Sequence, residues 1–240
     1  MVRNKTDRAD ATLLARFCAA MNPSLWTPPP AAWRELRGWV DRLQALKEMH
    51  QQESNRQEAY RASGQRPLVE AVQNHLAWLE KQIKDLEKDI NDHINRHPEL
   101  KRDADLIRSI PGVGDSTVAR VLAYAGDVRR FANAKALAAF IGLTPRQRVS
   151  GSSVRGRTMI SRTGQASLRK ALYMPGMVAR RHNPVLKAFG DRLQSSGLAP
   201  KAVIGAVMRK MAHLIYGVIN SGIPFDPRIA TPRLDFQEGI

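Results

Sequence analysis

Three serines and four arginines crowd one stretch of the chain, Thr144-Pro145-Arg146-Gln147-Arg148-Val149-Ser150-Gly151-Ser152-Ser153-Val154-Arg155-Gly156-Arg157. Arginine forks hold phosphate oxygens and stabilise charge developing on a phosphoryl group, and a serine hydroxyl can attack the phosphorus. The same composition also suits a flexible connector, since Ser and Gly loosen the backbone. A second candidate is Lys5-Thr6-Asp7-Arg8-Ala9-Asp10-Ala11. Asp7 and Asp10 project from one face of a helix start and can share a divalent cation in phosphoryl transfer. Acidic residues there also cap the helix and complement its dipole.

The third candidate is Ile107-Arg108-Ser109-Ile110-Pro111-Gly112-Val113-Gly114, followed by an apolar helix from Asp115. It resembles the helix-hairpin-helix module of DNA-binding proteins. Without Cβ atoms, Gly112 and Gly114 let backbone N–H groups approach a phosphate at a helix N-terminus, which holds the nucleic-acid backbone and reads no sequence. An ordinary tight turn between packed helices has the same pattern. His93 and His97 have the spacing of helix metal ligands but no third ligand nearby, and read as the solvated end of a helical hairpin. His213 lies in a largely apolar helix and reads as a satisfied core residue. Walker, Rossmann and HExxH patterns are absent.

Charge favours the phosphate chemistry. The 240 residues carry 38 Lys and Arg against 22 Asp and Glu, a formal net charge of +16. From Met1 to Asp127 the two signs nearly balance, 19 against 18, whereas from Val128 onward they stand 19 to 4. Val128 to Gly190 holds thirteen basic residues and no carboxylate. Such a run repels itself unless an anion is bound, so a polyanion, nucleic acid or an anionic membrane, is the expected partner. The single cysteine, Cys18, excludes a disulfide framework and points to a reducing, cytoplasmic setting. The longest plainly apolar run, Ala136 to Leu143, is too short to span a bilayer, and no signal peptide is legible.

The elements that must position these residues read as helices. Asp7 to Ala20 is a short helix with Leu13, Leu14, Phe17 and Ala20 on one face, ended by Asn22-Pro23 and the Pro28-Pro29-Pro30 run. Trp33 to Ala62 follows, striped by Leu36, Val40, Leu43 and Leu46. After Ser63-Gly64, a helix from Pro67 to Pro98 shows Val69, Val72, Leu76, Leu79, Ile83, Leu86 and Ile90, a coiled-coil seam with steps of three and four. The pair predicts an antiparallel hairpin whose seam closes internally or on a second protomer. Further helices are predicted over 115–125, 132–141, 165–181 with a kink at Pro175, 184–194 and 200–220.

The order of motifs carries a resemblance. Lys5-Thr-Asp-Arg-Ala-Asp-Ala resembles the last acidic motif of a RuvC-like domain. It is followed by the coiled coil, Ile-Pro-Gly-Val-Gly, Phe140-Ile141-Gly142-Leu143-Thr144-Pro145, Ser150-Gly151, Ile160-Ser161-Arg162-Thr163-Gly164 and Leu168-Arg169-Lys170-Ala171-Leu172. This succession resembles the DEDD-type insertion-sequence transposases related to the Piv invertase, the family numbered one hundred and ten. The resemblance implies a RuvC-like carboxylate site holding Mg2+, a C-terminal serine that links covalently to DNA and, in some members, a structured guide RNA. Carried onto this chain, Asp7 and Asp10 match the last two metal carboxylates and Ser150 the nucleophile, with Ser152 and Ser153 close enough to replace it. Arg146, Arg148, Arg155, Arg157, Arg162 and Arg169, with Gly112 and Gly114, would hold DNA.

The expected fold is mainly α. Residues 1–30 would be a RuvC-like remnant with its proline linker, 31–100 the coiled-coil hairpin, 101–226 the helical DNA-binding and serine domain, and 227–240 an irregular tail. The first Asp and the Glu of a RuvC-like site should stand on strands before Lys5. The chain as it stands is therefore expected to bind DNA or RNA, to associate with itself through the hairpin, and not to recombine DNA unaided. A non-catalytic dimeric nucleic-acid-binding protein is the alternative, and a membrane partner is not expected.

Overall fold

The computed structural model describes residues 6–23, 25, 27–150 and 154–229, with the backbone alone for residues 147–150 and 154–158. The chain divides after Pro30 into two units. In the first, α1 (Asp7–Met21) is opened by Thr6, whose Oγ1 accepts from the Ala9 amide at 3.2 Å, and closed by Asn22 in the left-handed region at φ 39°. Asn suits that position because its short polar side chain tolerates φ > 0. The predicted apolar stripe is present and open: Leu13 is 67% and Phe17 50% exposed.

In the second unit, α2 (Ala31–Ala62) and α3 (Arg66–Arg96) form the expected antiparallel hairpin. Leu36, Val40, Leu43 and Leu46 are buried, as are Leu79, Ile90 and Ile94 on α3. Lys47 pairs with Glu87 at 2.6 Å and His50 approaches Glu80 at 3.3 Å, fixing the antiparallel register. The base of the hairpin continues into the main core. Tyr124 donates to Asp41 at 2.7 Å and Arg120 to Gln44 at 2.9 Å, tying α2 to α5 (Asp115–Ala125). His93 is not solvated. It is 3% exposed, its Nε2 lies 2.9 Å from the Ala32 carbonyl, and its ring stacks on Trp39 and contacts His97. The helix runs on past the free part of the hairpin, so this turn of α3 is covered by the start of α2.

Helix α4 (Pro98–Arg108) starts at the proline that ends α3 and leads into the glycine turn before α5. A 3-10 turn at Val128–Arg130 precedes α6 (Ala134–Ile141). The segment anticipated as a loop is instead a two-stranded antiparallel hairpin, β1 (Pro145–Ser150) and β2 (Val154–Ile160). Arginines break any apolar alternation in it, so the period-two signal of a half-buried strand is missing. Pro145 pairs with Ile160 and Ser150 with Val154, with an irregularity between Arg146 and Arg148.

The remaining helices are α7 (Ala166–Ala171), α8 (Tyr173–His182), α9 (Pro184–Ser195) and α10 (Pro200–Ser221). The break between α7 and α8 falls at Leu172, φ −85° and ψ −7°, rather than as a kink at Pro175. Pro175 is the third residue of α8, where its missing N–H would have no helical partner in any case. Helix α10 is the hub, packed by α4, α6, α8 and α9. It is long and apolar enough to cross a membrane, which the sequence reading overlooked, but Val203, Val207, Met211, Ile215 and Ile219 are buried in this core. The mainly α expectation holds, with this one small sheet among the described residues.

Candidate functional site

The two motifs flanking the serine segment, far apart in their roles as sequence, are brought together. Helix α6 ends at Gly142, φ 79°, whose amide donates to Ala139 O at 2.9 Å while Leu143 N donates to Ala138 O at 2.9 Å. This left-handed cap needs glycine twice over, since a Cβ there would stand 2.5 Å from Arg169 Nη1 and 2.8 Å from Thr163 O. The following residues are clasped by the segment after β2: Ser161 N donates to Thr144 O at 2.8 Å, Arg162 N to Gly142 O at 3.3 Å and Gln165 N to Phe140 O at 2.7 Å. The hairpin therefore leaves the helical body from a hydrogen-bonded root. Ser150 ends its first strand, at the far end from that root. Ser152 and Ser153 lie outside the described residues, and Arg148, Arg155 and Arg157 are placed by backbone register alone.

The arginines near the root divide by what they touch. Arg169 donates from Nη1 to Ile141 O at 3.0 Å, satisfying a carbonyl at the end of α6. It is a positioning residue for the clasp. Arg146 and Arg162 are exposed, and Arg162 adopts φ 58°, unusual for a non-glycine residue. The sequence reading missed Arg130, which donates to Ala125 O at 3.2 Å and lies over Phe131 and Phe140 at 4.6 and 5.2 Å.

The carboxylate-free stretch is partly neutralised from outside itself. Arg129 forks onto Asp103 at 2.7 and 2.9 Å, and that contact raises its pKa above the ordinary arginine value. Arg180 and Lys187 share Asp191 at 3.1 and 2.9 Å. Lys135, Lys170 and Arg181 are exposed, and no carboxylate partner for them occurs among the described residues.

The two glycines of the turn before α5 have different surroundings. Gly112, φ 98°, lies against α8: a Cβ there would stand 2.8 Å from the Ala179 N, Cα and Cβ atoms. What approaches Gly112 closely is protein backbone. Gly114 caps α5 with φ −103° and has open space around it, so the N-terminus of α5 remains accessible there. Arg108 lies beside it, bonded to Asp105 at 2.7 Å and Asp115 at 2.8 Å.

Asp7 and Asp10 occupy the first turn of α1. Among the described residues no group of three or more His, Cys, Asp or Glu is placed to hold a metal ion. Asp7 is exposed and Asp10 partly buried; two carboxylates on one turn fit part of a magnesium shell, which wants near-octahedral oxygen ligation. His213 also departs from expectation. Its Nε2 is buried without a hydrogen-bond partner, and burial foremost, then the charges of Arg209, Lys210 and Lys135, lower its pKa to about 4.

Against known proteins, the family model for the transposase IS116/IS110/IS902 family matches residues 104–191, from α4 into α9 and across the serine hairpin. The pilin gene-inverting protein of Moraxella bovis is 35% identical over 229 residues, covering 95% of this chain and 70% of that protein. An uncharacterized 43.6 kDa protein of insertion element IS110 from Streptomyces coelicolor is 25% identical over 68% of this chain and 39% of its own length. The transposase for insertion sequence element IS1111A of Coxiella burnetii is 33% identical over 112 residues, 39% of this chain and 31% of its own. With its motif order, its helical body and this similarity along nearly the whole chain, the protein belongs to the IS110 family of insertion-sequence transposases and DNA invertases.

Proposed function

We propose that the protein cuts and rejoins DNA through Ser150. The observation that carries this is the rooted hairpin: a strand ending on Ser150 rises from the clasp between Gly142–Thr144 and Ser161–Gln165, in the most basic part of the chain. In the reaction, Ser150 Oγ loses its proton and bonds to a phosphodiester phosphorus. One P–O bond to deoxyribose breaks, and the departing hydroxyl takes up a proton. The energy of the broken ester is kept in the serine–DNA ester, so rejoining reverses the step on a new hydroxyl. Arg146, Arg148, Arg155, Arg157 and Arg162 would neutralise phosphate oxygens around it, and Gly114 would offer the α5 N-terminus to the backbone. Arg169 holds the root.

Asp7 and Asp10 would contribute to a Mg2+ site whose other ligands come from outside the described residues. Such an ion would supply stabilisation of charge on a phosphoryl group. A structured RNA presents the same phosphates and is a second polyanion for the basic half. Self-association would use the distal hairpin, where Val69, Val72 and Leu76 are only half buried and Trp78 is 51% exposed.

The test is denaturant-resistant adduct formation in Mg2+ buffer with DNA flanking the gene. A protein–DNA ester mapped to Ser150 and absent from Ser150→Ala supports the assignment; an ester on Ser152 or Ser153 moves it. Unimpaired DNA binding with no adduct from the unmodified chain favours the second reading, a non-catalytic nucleic-acid-binding protein.

A further inference from the structure

We propose that Arg209, His213 and Lys135 form a binding site for a phosphate oxyanion, filled in the working protein by a phosphodiester of the bound nucleic acid. The identity of that ligand rests on the DNA reading above; the anion site itself does not. Arg209 and His213 stand one turn apart on α10, the spacing that puts two side chains on the same face. Arg209 Nε and His213 Nε2 are both buried, and neither has a hydrogen-bond partner. Buried polar groups are nearly always paired, so two orphans a turn apart mark a place where a partner belongs.

Its chemistry follows from the surrounding charge. The charges that act on His213 are all cationic: Arg209 and Lys210 from α10 itself and Lys135 from α6, which packs against it. Lys210 is directed to the Phe189 ring, with Nζ 5.1 Å from the centroid. A water molecule could accept from both orphans but, being neutral, would leave the positive potential standing. An oxyanion accepts from both and neutralises it. The imidazole then gains a reason to be protonated, because an anion beside it favours the charged form.

The location connects this site to the serine hairpin. The same side of α10 carries Gly205, where a Cβ would stand 2.5 Å from Ile160 Cδ1 at the foot of β2. Further along, Tyr216 donates to Phe131 O at 3.2 Å, next to α6. Arg209 and His213 lie between these contacts along the helix. A phosphate held there would fix a strand of nucleic acid beside the root from which Ser150 is carried.

The experiment uses the full chain with imidazole-15N histidine, titrated by NMR from about pH 7.5 to about pH 4 alone, with inorganic phosphate and with a short DNA duplex. The expected result is a rise in the His213 pKa with both ligands. Arg209→Gln and Lys135→Gln should each weaken duplex binding about tenfold and flatten its salt dependence by about one phosphate contact. Lys101→Gln, an equal loss of charge at an exposed position on α4, should do much less. Lys135 is exposed, so its variant keeps the test valid if Arg209→Gln does not fold. A His213 shift with phosphate while the duplex fails to bind supports the site and overturns the DNA reading. A shift with phosphate while duplex affinity ignores all three variants supports a site for free phosphate and overturns the nucleic-acid occupant. No His213 shift with either ligand, in a chain that binds duplex normally, overturns the site and leaves the DNA reading standing.

Discussion

Replacing Gly112 by alanine should strongly destabilise the packing of the C-terminal half, without touching a charge. At φ 98° an L side chain is strained, and even the milder left-handed helical region costs roughly 1–2 kcal/mol. The new methyl would also stand 2.8 Å from three atoms of Ala179, and forcing an extra carbon into a packed interior costs typically about 1–3 kcal/mol. Together these give about 2–5 kcal/mol, a large share of the roughly 5–15 kcal/mol that stabilises a domain. With a urea m value of about 2–3 kcal/mol/M, the midpoint should fall by about 1 M or more. Because two of the three contacted atoms are Ala179 backbone, adding Ala179→Gly should restore less than half the loss. Gly114→Ala has open space and negative φ, so it should cost below about 1 kcal/mol, the scale of a lost N-cap preference. Urea unfolding followed by circular dichroism decides the matter. A Gly112→Ala midpoint within error of the parent would refute the packing argument and return Gly112 to the phosphate.

Three further outcomes follow from the same contacts. The Asp103 side chain is 5% exposed and that of its partner Arg129 38%, so Asp103→Asn should cost about 1–3 kcal/mol, less than a fully buried pair because Arg129 meets solvent; an unchanged melting temperature would contradict it. His213 has a folded pKa of about 4 against 6.5 for the ordinary group, so the native state binds fewer protons than the unfolded chain. Its contribution is intact above pH 6.5 and is lost as pH falls towards 4, about 1–2 kcal/mol after discounting for partial exposure. Anion-free His213→Leu should therefore show a shallower loss of melting temperature on acidification, and parallel curves would count against the assignment. Arg169→Ala should cost about 1–2 kcal/mol by leaving the Ile141 carbonyl unpaired and reduce the Ser150–DNA adduct more than it reduces DNA affinity. Equal losses of both would place Arg169 on the DNA instead.

The helices were legible because their apolar positions recur every three or four residues: the α2–α3 seam and the cores of α5 and α10 read directly. The serine hairpin was not, since its arginines erase the alternation that marks a strand, and the backbone pairing that makes it depends on Thr144 meeting Ser161. His93 and His97 misled for a related reason. Their spacing describes a helix surface, but what covers that surface is the start of α2, sixty residues earlier. At Pro175 the residue type was informative and the inference too specific, since proline accommodates a helix start as well as a kink. Gly112 shows the limit most clearly. A glycine requirement was visible in the sequence, but whether a phosphate or a helix approaches it is a tertiary fact.

The same distinction governs the charge. A count over Val128 to Gly190 offers thirteen cations to DNA, yet Arg129 is bonded to Asp103, Arg180 and Lys187 share Asp191, and Arg169 caps α6. These contacts use positive charge to hold the scaffold, with carboxylates supplied from either side of the stretch. What is left for phosphates is a smaller set: Arg146, Arg162, Lys135, Lys170 and Arg181, exposed on the helical body and its root, and Arg148, Arg155 and Arg157 on the hairpin. Non-specific affinity depends on how many phosphates are neutralised, about 0.9 in salt slope for each, so the measured slope should fall well below the count of basic residues. A basic run of this kind serves two ends, and the bonded cations serve the second: Arg169 closes the root at the end of α6, Arg129 ties the 3-10 turn to α4, and Arg180 ties α8 to α9.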